Sequence, residues 1–196
     1  IVDSNGNTPM STAAWSGAVE TLEALINAKV FVDRKNSSGR TPLMLAAMHG
    51  RITAVHSLIG ARADINAQDN DGNTVLMCAV SAGHAEIVNC LVDVRASLDT
   101  KNTQGQTALD IAIVKNDTAV VCVLASVHDD QGNTPLSVAA SSGSHTLLKQ
   151  LLAAKASVHV RNHAGYTPLM LAVSRGDATA ASALIEAGAS LLDHNA

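Results

Sequence analysis

The chain has 196 residues, of which 47% are hydrophobic and only 2% aromatic, and its formal net charge is −4. This length and apolar content fit one globular domain, and the scarcity of aromatic side chains indicates a core of small and aliphatic residues, as in close-packed helices. Three cysteines at scattered spacing exclude a disulfide framework and indicate reduced thiols. The apolar runs are far shorter than the roughly 18 residues that a membrane span needs, so we expect none.

One stretch of sequence occurs twice. GRTPLMLAAMHG at 39–50 returns as GYTPLMLAVSRG at 165–176. Both copies begin with a glycine two residues before a threonine, and this pair occurs six times, at steps of 33, 33, 33, 27 and 33 residues. A fixed period of this length is typical of repeat proteins. The anchor glycines are Gly6, Gly39, Gly72, Gly105, Gly132 and Gly165.

Within each repeat, the threonine after the anchor glycine predicts the N-cap of a short helix. All four prolines of the chain follow such a threonine, at the first helical position, where no N–H is missed. Eleven residues past the anchor stands a glycine, or Asn116 in one repeat, which predicts a left-handed C-cap. A longer amphipathic stretch follows, as at 84–94, and then a polar loop. Neither helix can bury its apolar face within its own repeat, so neighbouring repeats must stack.

The motif Gly-x-Thr-Pro-Leu-x-Leu-Ala-Ala at 39–47, followed by Gly50 and by ARADINAQD at 61–69, resembles the ankyrin repeat. The resemblance covers the whole chain as six consecutive repeats, beginning near residues 3, 36, 69, 102, 129 and 162. It implies an all-α fold, an α-solenoid of stacked helix-turn-helix repeats whose loops project as β-hairpin fingers. We expect residues 1–196 to form a single domain, and a fragment of a longer protein because neither end has a visibly polar capping repeat.

Two departures from the family pattern bear on packing. The histidine that usually follows Thr-Pro-Leu in the family is replaced in all six repeats. Methionine takes this position in three of them and is expected to fill the space, whereas Asp110 must find a polar partner or face water. The step from Gly105 to Gly132 is six residues shorter than the others. Either this finger is genuinely short or the chain lacks residues there.

The sequence contains no phosphate-binding loop and no His-Glu-x-x-His or Gly-x-Ser-x-Gly motif. Cys78, Cys90 and Cys122 are separated by 12 and 32 residues, so no structural zinc site is expected, and their places inside predicted helices indicate buried thiols. The eight histidines are spread singly along the chain. We therefore expect no enzyme, no cofactor and no metal.

The resemblance also implies a possible modification. In the family, an asparagine that ends Asp-Val-Asn or Asp-Ile-Asn, with leucine eight residues earlier, can be hydroxylated by an asparaginyl hydroxylase. Leu58 and Asn66 stand in this register. The alternative interpretation is that Asn66 is a turn residue that bonds its own backbone.

Family members usually bind partners on a concave face made by the finger tips and the first helices. The corresponding positions hold six basic residues against two acidic ones, a net charge of +4, whereas the rest of the chain carries −8. A concave surface of one sign attracts a partner of the opposite sign. The same positions hold Trp15 and Tyr166, which are residue types typical of binding hot spots. The predicted partner-binding residues are Trp15, Lys35, Arg40, Met48, His49, Asp71, Lys101, Lys115, Asp130, Arg161, His163, Tyr166 and Arg175.

We therefore expect a non-enzymatic protein–protein interaction scaffold, a monomer in the cytoplasm or nucleus, whose basic concave face binds an acidic or extended segment of a partner protein. Two alternatives stay open. The chain could be a structural spacer within a longer repeat array. It could also bind nucleic acid through the same groove, although it has no nucleic-acid reader motif and two of the six repeats place no basic residue there.

Overall fold

The computed structural model describes residues 2–129 and 131–191, which contain twelve α-helices in six consecutive pairs. The first helices of the pairs are α1 (Pro9–Ser16), α3 (Pro42–Met48), α5 (Val75–Ala82), α7 (Ala108–Val114), α9 (Pro135–Ser142) and α11 (Pro168–Arg175). The second helices are α2 (Val19–Asn27), α4 (Ile52–Gly60), α6 (Ala85–Asp93), α8 (Thr118–Ala125), α10 (His145–Ala153) and α12 (Ala178–Glu186). The expected all-α repeat architecture is confirmed. Among the described helices, none has the length and apolar character to span a membrane.

Each first helix begins at the predicted threonine. In α3, for example, the Thr41 hydroxyl accepts a hydrogen bond from the backbone N–H of Met44 at 3.3 Å. The same bond forms at all six threonines, and proline follows directly in four of the six helices. The cap satisfies one of the backbone donors that a helix N-terminus leaves free, so this local signal sets where each repeat begins.

The first helices end at the predicted turn. Gly17, for example, has φ 79°, and Asn116, which replaces glycine in the fourth repeat, has φ 55°. Left-handed backbone is available to glycine at little cost and to asparagine more readily than to most other residues. The turn brings the chain back so that the second helix packs against the first.

The chain forms two compact units, unit 1 (Ile1–Val120) and unit 2 (Val121–Ala196). In unit 1, α1, α3, α5 and α7 pack in series, and α2, α4 and α6 form a second layer. In unit 2, α9 packs on α11 and α10 packs on α12. Because α3 and α5 lie between neighbouring repeats, they are buried on nearly all sides, whereas the second helices bury only one face.

The loops that join the repeats end in finger tips, which are the five-residue segments beginning at residues 3, 36, 69, 102, 129 and 162. Their backbones bond between repeats: in unit 1, Ser37 N–H donates to the Asn5 carbonyl at 3.0 Å, and Asn70 N–H donates to Ser38 at 3.1 Å. The expected β-hairpins are reduced to turns. In the described residues the only ladder pairing is one isolated antiparallel bridge, between Gln68 and Thr74.

A chain of side-chain hydrogen bonds, here called the polar relay, joins the finger tips in pairs: the first with the second, the third with the fourth, and the fifth with the sixth. The first residue of each tip alternates between aspartate and asparagine along the chain. In the first pair of repeats, Asn36 Nδ2 donates to Asn7 Oδ1 at 2.8 Å, and Asn7 Nδ2 donates to Asp3 Oδ2 at 3.0 Å. The same relay forms from Asn102 through Asn73 to Asp69, and from Asn162 through Asn133 to Asp129.

The departures from the family pattern also have physical explanations. Met44 and Met77 are fully buried, as expected for side chains that fill the space of the missing histidines, whereas Met170 is half-buried. Asp110 finds its polar partner locally, because its carboxylate accepts from the N–H and the hydroxyl of Thr107, both at 2.8 Å, in a capping box. The short connection after α8 reaches a regular finger tip at Asp129, which accepts the N–H groups of Gln131 and Asn133.

Candidate binding surface

The predicted partner-binding residues lie at two kinds of place. One kind is the finger tip with its flanking residues, which holds Lys35, Arg40, Asp71, Lys101, Arg161, His163 and Tyr166. The other is the C-terminal end of a first helix, which holds Trp15, Met48, His49, Lys115 and Arg175. Asp130 lies outside the described residues. Arg40, Met48 and Tyr166 are half-buried, and the other described members of the set are exposed.

Arg40 contributes less to a basic surface than the sequence predicted. Its Nε lies 3.6 Å from Oδ2 of Asp69, whose carboxylate is almost wholly buried. Because this pair is partly shielded from water, the carboxylate offsets the charge of the guanidinium. Among the predicted partner-binding residues of unit 1, the exposed positive charges are therefore the lysines at 35, 101 and 115 rather than Arg40.

Four side chains meet where α1 and α3 end in unit 1, and we name Trp15, His49, Arg51 and His84 the turn cluster. Arg51 Nε donates to the Trp15 carbonyl at 3.2 Å. The rings of Trp15 and His49 meet edge to face with centroids 5.5 Å apart. His84 Nε2 donates to the backbone carbonyl of Met48 at 3.3 Å, and this bond fixes the ring over the end of α3.

The turn glycines make room for this cluster. A Cβ placed on Gly17 would stand 2.9 Å from Cδ of Arg51, and one on Gly50 would stand 2.8 Å from Cε1 of His84. Gly17 and Gly50 therefore each accommodate a side chain from the next repeat that a larger residue would displace. The sequence analysis missed Arg51 and His84. The available signal was that each directly follows a turn glycine.

The electrostatics of the turn cluster centre on His49. Desolvation, followed by the neighbouring groups of Arg51, His84 and Arg40, lowers the pKa of His49 below its usual value of 6.5. His49 is therefore neutral near pH 7, and Arg51 supplies the permanent charge of the cluster.

The corresponding turn in unit 2 holds an ion pair. His145 Nε2 lies 2.7 Å from Oδ2 of Asp177. The Asp177 carboxylate also accepts the Ala180 N–H at 3.0 Å, which caps α12. This backbone bond, together with the bond from His145, lowers the pKa of Asp177. Beside this pair, Arg175 lies over Gly143 and donates to the Ser141 carbonyl at 3.2 Å.

The cysteines differ in burial. Cys78 is buried, and desolvation raises the pKa of its thiol to about 12. Cys90 is half-buried, and its Sγ lies 3.7 Å from Nδ1 of His56. Cys122 is exposed, and its Sγ donates to the Ala154 carbonyl at 3.1 Å, so the expectation of three buried thiols holds for Cys78 only. Within the described residues, no group of three or more histidine, cysteine or acidic side chains could hold a metal ion.

Asn66 is exposed and takes part in the loop bonding. Its Oδ1 accepts the backbone N–H of Ser97, from the next repeat, at 2.9 Å, while its own N–H donates to Asp64 Oδ1. The side chain thus bonds the neighbouring repeat rather than its own backbone, contrary to the alternative interpretation. Hydroxylation of Asn66 stays a prediction.

Comparison with protein families gives three matches to a profile described as ankyrin repeats (3 copies), over residues 1–69, 52–129 and 124–195. No curated protein matches the chain at a significant level. Ankyrin repeats are in general protein–protein interaction modules, and the family is generally non-enzymatic. With nearly every residue covered by the profile, and with six helix pairs that follow one another at 33 residues in four of the five steps, the chain belongs to the ankyrin-repeat family.

Proposed function

We propose that this chain is an interaction module that binds an acidic, extended segment of a partner protein along the finger tips and first-helix ends of unit 1. The observation that carries the proposal is Trp15, which is 50% exposed; its ring contacts His49, and its backbone carbonyl accepts a hydrogen bond from Arg51. A large aromatic residue left exposed among cationic side chains is typical of an interface hot spot.

Charge supports the same conclusion. Lys35, Lys101 and Lys115 are exposed on this surface, and the carboxylates of the unit 1 finger tips are few: Asp69 is occupied by Arg40, which leaves Asp3 and Asp71 exposed. An extended acidic segment can follow successive finger tips, since these are joined by backbone bonds into a regular row. All three cysteines are free thiols, which supports a reducing, cytoplasmic or nuclear location for a monomeric module.

Binding of a fluorescein-labelled oligo-glutamate peptide, followed by fluorescence anisotropy at low and high salt, tests the proposal. A variant with Lys35, Lys101 and Lys115 all changed to Glu is expected to weaken binding by at least about tenfold. The matched control changes Lys29, Arg62 and Arg95 to Glu. These three are equally exposed in unit 1 but follow the second helices, so the change in net charge is the same at a different place. Circular dichroism establishes that both variants are folded.

The outcome distinguishes the alternatives. Loss of binding in the first variant and not in the control supports the proposal. Equal loss of binding in both variants would show that only the net charge of the chain matters, and this result would overturn the proposal. No binding of the oligo-glutamate peptide by the unaltered chain would also overturn it and favour a structural spacer. Tighter binding of a labelled single-stranded oligonucleotide, which displaces the peptide, would favour the nucleic-acid alternative.

A further inference from the structure

We propose that the turn cluster is a carboxylate subsite: Arg51 and His49 receive the carboxylate of one glutamate or aspartate of the bound segment, and Trp15 contacts its apolar stem. This inference rests on the proposed function and deepens it, because it assigns one acidic side chain of the partner to one place on unit 1.

The guanidinium of Arg51 is fixed in a position from which it can bind a carboxylate. Its Nε is bonded to the Trp15 carbonyl, and its stem lies over Gly17. Among the described residues, no partner is found for its two terminal nitrogens, and the side chain is exposed. A guanidinium that is anchored through one nitrogen keeps donors for a carboxylate and loses less conformational entropy on binding.

Trp15 supplies the apolar wall of the subsite. Half of its surface is open, and the edge-to-face contact with His49 holds the indole in place. A methylene stem that lies against this ring would bury the exposed part while its carboxylate points toward Arg51. Aromatic residues that combine a fixed position with partial exposure are the usual anchors of interfaces.

The charge balance favours one carboxylate rather than a more highly charged group. The charged and titratable groups facing His49 come from every neighbouring element: Arg51 at the start of α4, His84 at the start of α6, and Arg40 from the preceding finger. Arg40 is already paired with Asp69. With His49 neutral near pH 7, Arg51 is the permanently charged group of the subsite, and one guanidinium matches the single negative charge of one carboxylate.

Binding at this subsite takes up a proton. A carboxylate beside His49 raises the pKa of the imidazole, which is low in the free protein because of desolvation and positive neighbours. Between the pKa of His49 in the free protein and its higher value in the complex, affinity must rise as pH falls. A pKa difference of about one unit corresponds to about a tenfold gain in affinity.

Trp15 is the only tryptophan of the chain, so its fluorescence reports on this subsite directly. We expect saturation with oligo-glutamate to change the Trp15 emission, and saturation with oligo-glutamine to leave it unchanged. Arg51→Gln should weaken oligo-glutamate binding about tenfold. The matched control Arg95→Gln, which removes an exposed guanidinium after α6, should not. His49→Gln should lose the gain in affinity that the unaltered chain shows between about pH 7.5 and about pH 5.5.

The pKa of His49 in the unaltered chain, measured by NMR with and without oligo-glutamate, tests the inference without any substitution. A rise in this pKa that oligo-glutamine does not produce supports it. If the three-lysine variant loses binding while Arg51→Gln does not, and the pKa of His49 is unchanged by the peptide, the proposed function stands and the carboxylate subsite is wrong. If the unaltered chain binds no oligo-glutamate, both are wrong.

Discussion

Units 1 and 2 build the same turn between first and second helices and place different side chains beside it. In unit 1, Arg51 and His84 follow turn glycines and lie over the glycine of the preceding repeat, and Asp117, which follows Asn116, lies near Gly83. In unit 2, Asp177 follows the last turn glycine and lies 2.7 Å from Nε2 of His145, and Arg175 lies over Gly143. The backbone of the turn requires glycine or asparagine, and it leaves the next residue free to vary. The two units therefore differ in the side chains at this turn and not in its backbone.

The largest expected effect is a loss of stability, and it comes from the buried leucines that both units have. Leu76 in α5 and Leu136 in α9 occupy the same position of the repeat, and both are fully buried. Changing either to alanine should lower the free energy of unfolding by about 2–5 kcal/mol, because each leaves a cavity. Urea unfolding followed by circular dichroism measures the loss. A cost well below this range in one unit alone would show that the two cores are not equivalent.

The next effect separates finger tips that have a stacked neighbour from those that do not. Gly39 and Gly165 have φ 74° and 81°, so alanine at either position should cost about 1–2 kcal/mol of stability. At Gly39 the new Cβ would also stand 2.7 Å from the backbone nitrogen of Asn70, whereas Gly165 has no described atom within 4 Å. Gly39→Ala should therefore be the more destabilising change in urea unfolding. Equal losses would show that the loops yield to the added methyl group.

A smaller effect is expected from the ion pair of unit 2. The pKa of Asp177 is lowered in the folded chain, so its contribution to stability is present above the unfolded pKa and is lost as pH falls through the folded pKa. Asp177→Asn should lower the urea midpoint at neutral pH and reduce its further fall toward about pH 2.

Asp71→Asn is the matched control, because Asp71 is exposed in unit 1 and its carboxylate makes no hydrogen bond to the described residues. If the urea midpoint of Asp177→Asn fell toward low pH as steeply as that of the unaltered chain, the assignment of this pH dependence to Asp177 would be wrong.

The smallest effect, with no expected change in stability, concerns the thiols. Cys122 is exposed, whereas Cys78 is buried and the pKa of its thiol is raised to about 12. Iodoacetamide at neutral pH should therefore modify Cys122 first and leave Cys78 unmodified until the chain unfolds. Mass spectrometry of digested samples identifies the order. Early modification of Cys78 would mean that α5 opens readily in unit 1.

Much of this fold could be predicted because its signals are local. The hydroxyl of Thr41 accepts the backbone N–H three residues ahead and so caps α3. The left-handed backbone at Gly17 or Asn116 ends a first helix. These interactions depend on a few neighbouring residues and recur at a fixed period. The candidate surface was predicted only as a set of positions. The sequence did not reveal that Arg40 is paired with Asp69, because that contact joins two separate finger tips.

The repeat, its helix pairs and its turns can be read from the sequence alone, since each depends on hydrogen bonds between residues close along the chain. The meetings between distant groups follow from the packing of the repeats: Asn36 with Asn7, Arg51 with the Trp15 carbonyl, and His84 with the Met48 carbonyl. These partners stand 29 to 36 residues apart, and each contact requires two repeats to stack in one register. Stacking is set by the shape of the buried faces, which is a property of neighbouring repeats together and is not encoded in either one alone.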